Sequence, residues 1–261
     1  MLQLDIGWAQ SIGKRDYQQD GIAKMVWPNG FALAVLSDGM GGAVHGEIAS
    51  QEILKGFTDS FCASEEDDLD VRLHDSVLAT NEHIARYIEA EPACHGMGGT
   101  LVATAFTGEH LYWASVGDSP LWLLRGNRIT RINQDHSKKA ELQQLVAAGM
   151  MAEEDIAVHP QRNQLTSAVM GFNIESIDVN HLTLQSDDLL LVASDGVETI
   201  AEDDLLTLCT TLVVDHSVQT IAEQIIAFVE HLDRAYQDNA TVMVLKFSQP
   251  AAAETEQGPV A

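Results

Sequence analysis

Ala32-Leu33-Ala34-Val35-Leu36-Ser37-Asp38-Gly39 is an apolar run that ends on an acid and a glycine, and the pattern returns at Leu189-Leu190-Leu191-Val192-Ala193-Ser194-Asp195-Gly196. Such runs read as strands, and Asp-Gly reads as the turn that closes each one, because Gly accepts positive φ. A third acid, Asp238, opens the run Asp238-Asn239-Ala240-Thr241-Val242-Met243-Val244-Leu245. One isolated Ser-Asp-Gly is most simply a turn former. Two copies after matching runs, with Asp238 before another, imply carboxylates converging at one end of a sheet structure. Anionic oxygens brought that close repel one another, so either a proton or a metal must be shared among them. Mg²⁺ and Mn²⁺ prefer such oxygen ligands.

The 261 residues suffice for one domain with a large core or two small ones. No internal linker divides them, so a single domain over residues 1–247 is expected. The remainder, 248–261, is small, polar and Pro/Gly-containing, and reads as a disordered tail. The 46% hydrophobic fraction is ordinary for a globular protein. No apolar stretch approaches the roughly 18 residues that span a bilayer, so no membrane partner is expected. Met1-Leu2-Gln3-Leu4-Asp5 lacks the features of a secretory signal, which places the chain in the cytoplasm. Cys62, Cys94 and Cys209 have no close spacing, which argues against a disulfide framework and a Cys-ligated zinc. The formal net charge of −25 repels nucleic-acid phosphates. The same field opposes a phosphorylated substrate, so bound divalent metal is the expected local source of positive potential.

Strand-like segments over 2–9, 22–27 and 31–36 precede a helix from about 43 to 61, where Ala49, Ile53, Phe57 and Phe61 share a face. A second helix is expected over 69–90. Segments 100–106, 110–116, 121–125 and 128–132 read as a meander, with Gly126-Asn127 as a two-residue hairpin loop. A helix over 138–148 ends at Gly149, and 153–171 is irregular enough to be a flap. Strands return at 180–184 and 189–193. Val218, Ile221, Ala222, Ile225, Val229 and Leu232 mark an amphipathic helix, and 241–247 is the closing strand. A helix-free meander excludes a doubly wound parallel sheet and points to sheet-on-sheet packing with helices outside.

Arg15-Asp16-Tyr17-Gln18-Gln19-Asp20 supplies a cation beside these acids. A planar guanidinium next to a carboxylate–metal cluster suits phosphate oxygens. With this segment the chain resembles the metal-dependent type-2C (PPM-type) serine/threonine protein phosphatases, particularly their short bacterial members. The resemblance runs in order through Ser37-Asp38-Gly39-Met40-Gly41-Gly42, Gly46-Glu47-Ile48-Ala49-Ser50, Gly98-Gly99-Thr100, Val116-Gly117-Asp118-Ser119, Asp135-His136-Ser137, Ser194-Asp195-Gly196 and Asp238-Asn239-Ala240-Thr241.

The resemblance implies an α+β fold, a central antiparallel β-sandwich flanked by α-helix pairs in four α-β-β-α layers. It implies a dinuclear Mn²⁺ or Mg²⁺ centre at one end of the sandwich. Asp38 would bridge the two ions, the Gly39 carbonyl would bind one, Asp195 and Asp238 would ligate the other, and Asp20 would act through bound water. Asp118 would join Asp195 at a third-metal site, and Arg15 would hold the substrate phosphate. By the same resemblance, a water shared by the ions attacks phosphorus directly, with Asp38, Asp195 and Asp238 as the catalytic acids. Phosphoserine or phosphothreonine on proteins would be the substrate, a Ser/Thr kinase the opposing partner, and the chain a monomer.

Two positions depart from the family pattern. Met40 stands where many eukaryotic members carry His, which removes a proton donor for the leaving group. Pro120 stands where an Arg commonly follows Gly-Asp-Ser, which bears on the geometry around Asp118. His136 and His159 lack any ligand-type spacing and read as structural. No Cys is followed six positions later by Arg, so a Cys-dependent phosphatase is excluded. The alternative reading is a catalytically weak or inactive phosphoprotein-binding regulator of the same fold.

Overall fold

The computed structural model describes residues 2–249. In chain order the elements are strands β1 (Gln3–Ser11), β2 (Asp20–Val26) and β3 (Ala32–Met40), then helices α1 (Ala43–Ala63) and α2 (Leu69–Ala90). Strands β4 (Gly98–Gly99), β5 (Leu101–Thr107), β6 (His110–Val116), β7 (Leu121–Arg125) and β8 (Arg128–Arg131) follow, then α3 (Lys138–Ala147) and α4 (Glu153–Val158). The chain closes with β9 (Asp178–Thr183), β10 (Leu189–Ala193), α5 (Glu202–Leu212), α6 (Val218–His231) and β11 (Ala240–Ser248).

The strands form two antiparallel sheets, one in the order β1-β11-β10-β7-β8 and the other in the order β2-β3-β5-β6-β9 with β4 beside β3. Three apolar cores separate four layers. Leu33 and Val35 of β3 pack with Ile53, Phe57 and Phe61 of α1 and Leu73 and Val77 of α2. Ala34 and Leu36, on the opposite face of the same strand, meet Leu190, Val192, Met243 and Phe247 between the sheets. Leu189 and Leu191 of β10, with Val242 and Val244 of β11, pack against Ile221, Ile225 and Val229 of α6. Side chains alternate across a strand, so a strand buried on both faces must be apolar at every position. That is why the runs ending at Asp38 and Asp195 lack the usual alternation. Each fully buried Leu, Val or Phe stabilises the fold by roughly 2 kcal/mol.

The expected sandwich with outer helix pairs is thus the observed architecture, and Gly126-Asn127 is the hairpin loop between Arg125 and Arg128, with Gly126 at φ 59°. Four local expectations are corrected. The first Asp-Gly is no turn: β3 continues through Met40, and Gly39 pairs with Gly99 of β4. The irregular segment 153–171 contains α4, and the unexpected α5 lies between β10 and α6. The closing strand reaches Ser248; of the expected tail, 250–261 lie outside the described residues.

Strand register positions the acids. In the β2–β3 ladder Asp20 lies directly opposite Asp38. Ala193 at the end of β10 pairs with Val242, and Ser194 N–H donates to the Thr241 carbonyl at 3.0 Å. Asp195 and Asp238 therefore flank the neighbouring mouth of the other sheet.

Candidate metal centre

Asp38 is gripped by its backbone. Its N–H donates to Thr100 Oγ1 at 3.0 Å, and its carbonyl accepts from Thr100 N–H at 2.9 Å. The Thr100 hydroxyl also meets Ser119 Oγ at 2.7 Å, which ties the Gly-Asp-Ser segment to β3. Gly39 N–H donates to the Gln19 carbonyl at 3.0 Å. A Cβ on Gly39 would collide with the Gly46 carbonyl oxygen at the start of α1, so this close approach requires Gly.

At the other sheet, Ser194 Oγ donates to Asp20 Oδ2 at 2.7 Å and accepts from Thr241 N–H at 3.0 Å. This hydroxyl orients a carboxylate carried by the opposite sheet. Asn239 is a second joint: its Oδ1 accepts from Gln19 N–H at 2.8 Å, and its Nδ2 donates to the carbonyls of Ile12 and Tyr17 at 2.9 and 3.0 Å. The loop carrying Arg15 and Asp20 is thereby pinned to the mouth of β11.

The carboxylates feel one another. Burial, followed by the charges of Asp20, Asp195, Asp118 and Asp238, holds the Asp38 carboxyl well above the usual range. Burial, then Asp118, Asp238, Asp20 and Glu198, pushes Asp195 up to about 8. Asp20 rises to about 6 through burial, against the hydrogen bond from Ser194. Asp118 also rises to about 6, through burial and then Asp135 and Glu198.

A cleft of about 360 Å³ opens on this cluster. Arg15, Asp118, Asp195 and Asp238 line it; Asp20 and Asp38 lie outside its lining and join the cluster through their charges. Arg15 Nη2 pairs with Asp238 Oδ2 at 2.6 Å, with the Arg15 side chain about half exposed. The cleft also holds residues the sequence did not single out as functional: Lys139, Arg162 and Glu198. Arg131 braces that side, donating to the Asp118 carbonyl at 2.7 Å and pairing with Asp135 at 3.0 Å and Glu198 at 3.2 Å. Lys139 pairs with Glu198 at 3.1 Å. The Pro120 carbonyl accepts from Ala193 N–H at 3.0 Å. His136 Nδ1 accepts from Gly117 N–H at 3.2 Å, and its Nε2 is buried without a hydrogen-bond partner. His159 Nδ1 accepts from Gln161 N–H in its own loop.

Among the described residues, no three Asp, Glu, His or Cys side chains form a closed coordination set. Two observations nevertheless fit divalent cations. Asp20 Oδ1 and Asp195 Oδ1 are buried without a hydrogen-bond partner. The donors are all oxygen, as hard cations such as Mg²⁺ and Mn²⁺ prefer. Cations would also relieve the mutual repulsion that, after burial, raises these carboxyls.

The family described as Protein phosphatase 2C matches residues 9–240. Serine/threonine protein phosphatase PstP of Mycobacterium tuberculosis (strain H37Rv) is 32% identical over 216 residues, covering 82% of this chain and 40% of that protein. The chain therefore spans well under half the length of that relative. The S. agalactiae serine/threonine phosphatase structure superposes with a TM-score of 0.80 at 29% identity, covering 93% of this chain and 99% of that one. The catalytic domain of PstP, solved with two manganese ions, superposes with a TM-score of 0.79 at 27% identity, covering 95% and 100%.

Proposed function

The chain belongs to the protein phosphatase 2C family, and from that premise we propose that it is a metal-dependent hydrolase of phosphoserine and phosphothreonine in proteins. The observation that carries this reading is the convergence of Asp20, Asp38, Asp118, Asp195 and Asp238 beside a cleft that also holds Arg15. Two cations, Mn²⁺ or Mg²⁺, held by Asp20, Asp38, the Gly39 carbonyl, Asp195 and Asp238, would supply Lewis acidity and water acidic enough to act as a nucleophile near neutral pH. Asp118 and Asp195, which line the same cleft, would hold a third ion.

The protein's own residues bind and orient the substrate. Arg15 carries five N–H donors, so its bond to Asp238 leaves others for phosphate oxygens. Placed there, the guanidinium stabilises charge that spreads over the phosphoryl oxygens in the transition state. Ser194 keeps Asp20 oriented, and Asn239 holds the Arg15 loop against the mouth of β11. Met40 has no proton to give the departing alkoxide, so that proton comes from water in the cleft. No protein nucleophile is required: none of the three thiols lines the cleft, and burial pushes the Cys209 thiol up to about 12.

On this reading the partners are phosphoproteins and the Ser/Thr kinase that modifies them, and the catalytic unit, residues 1–247, works as a cytoplasmic monomer. Among the described residues no helix is long and apolar enough to cross a membrane. Hydrolysis of p-nitrophenyl phosphate in Mn²⁺ tests the reading. EDTA or Asp38→Asn is expected to lower turnover by about 10³-fold. Turnover that survives both treatments overturns the metal mechanism, and none under any condition favours a phosphoprotein-binding regulator.

A further inference from the structure

We infer that the protein reads an apolar residue beside the phosphorylated one, and that the depression between Met40 and the 163–175 segment is the subsite for that side chain. The inference rests on the catalytic reading above and adds a feature of its substrates. The depression has a volume of about 500 Å³, and Met40, Leu165, Ala168, Met170 and Phe172 line it together with polar residues of the same segment. Phe172 leaves 62% of its surface in solvent. Asn163 lines both this depression and the cleft, and Met40 follows Asp38-Gly39 directly. The depression therefore adjoins the cleft, within reach of a residue next to a phosphorylated one bound there.

The two spaces differ in charge. The cleft is lined by acids and by Arg15, Lys139 and Arg162. In the depression the ionisable side chain is Glu175, which already accepts from Asn173 Nδ2 at 3.0 Å. Burying a charged side chain against Leu, Ala, Met and Phe is costly, whereas an apolar one is favoured. The wall is also built in advance. Asn81 of α2 accepts from the N–H groups of Met170 and Gly171 at 3.1 and 2.8 Å and donates to the Phe172 carbonyl at 2.6 Å. Val169 exchanges backbone hydrogen bonds with Gly99, and Thr166 N–H donates to the His136 carbonyl at 2.8 Å. A preformed wall spares the ordering cost of binding. Met40 and Met170 adapt their shape, so the preference is for apolar side chains as a class.

Two peptide pairs test this, identical except for Leu or Asp at the residues flanking phosphothreonine. In one pair a non-hydrolysable phosphonate replaces the phosphate. In Mn²⁺ the Leu phosphonate is expected to bind about tenfold more tightly than the Asp one. Phe172→Ser or Met170→Gln should shrink that ratio to below about threefold, with p-nitrophenyl phosphate turnover unchanged. Equal binding of the two phosphonates by the unmodified protein overturns the subsite, as does a ratio that survives both substitutions. A Phe172-dependent dimer in sedimentation equilibrium would assign the face to a second copy and also overturn it. Absence of hydrolysis of the phosphate peptides in Mn²⁺ counts against the catalytic reading alone, since the phosphonate arm still decides the subsite.

Discussion

At Ser37-Asp38-Gly39 the strand keeps going and Gly39 pairs with Gly99, whereas at Ser194-Asp195-Gly196 the strand stops and residues Asp195–Thr199 coil into a 3₁₀ turn. Neither glycine has a positive φ. Both are required by crowding: a Cβ would strike the Gly46 carbonyl oxygen in one case and the Asn239 carbonyl oxygen in the other. The serines diverge as well. Ser37 Oγ donates to the Thr100 carbonyl at 2.8 Å and ties strand to strand, while Ser194 Oγ supports the Asp20 carboxylate. Identical tripeptides therefore deliver carboxylates to one cluster by different backbone routes, and what they share is a backbone carbonyl pressed against the glycine.

The strongest test of that shared requirement is Gly39→Ala against Gly196→Ala. Each should destabilise the fold by about 3 kcal/mol or more in chemical denaturation, because the obstacle is backbone and cannot swing aside. Loss at one position only would mean that the carbonyl at the other gives way and that crowding does not require a glycine there.

The two acids share a titration. In EDTA, the folded protein retains a proton on Asp195 up to about pH 8, whereas the unfolded chain loses it near the ordinary carboxylate value of 3.8. The folded state binds more protons across that window, so stability falls as pH rises from about 4 to about 8. Asp195→Asn and Asp38→Asn should each flatten this slope. Mn²⁺ at about a hundredfold excess over its Kd should raise Tm by about 5–10 °C. The increase should be larger at pH 8 than at pH 5.5, since protons compete with the cation. An increase that did not grow with pH would remove these acids from cation binding.

The smallest effect separates the serines. Ser194→Ala should weaken Mn²⁺ affinity about tenfold by freeing Asp20. Ser37→Ala should cost about 1 kcal/mol of stability and leave the affinity alone. Calorimetric titration and thermal melts distinguish the two.

The layers were legible because burial on two faces forces unbroken apolar runs, and those runs marked β3, β10 and β11. The Asp-Gly signal misled at residue 38, where β4 extends the pairing beyond the apolar run; local sequence does not announce a partner 60 residues away. Helix α5 was missed because it buries only Leu205 and Cys209 and carries three threonines. Its acidic first turn, Glu202-Asp203-Asp204, was the available signal. The acids of the cluster were legible as motifs. Arg131, Lys139, Arg162 and Glu198 were not, because solitary charges carry no periodicity and meet only after folding.

Strand β1 pairs with β11 along its length, from Gln3 opposite Ser248 to Ser11 opposite Ala240. During synthesis on the ribosome, the first strand of this domain thus waits for the last before it has a strand partner. The cluster likewise draws on Asp20 and Asp238 together. A nascent chain stalled before Asp238 would display an open β edge and an incomplete acid set, so the cluster comes together in one step, once the last strand of this domain has been made.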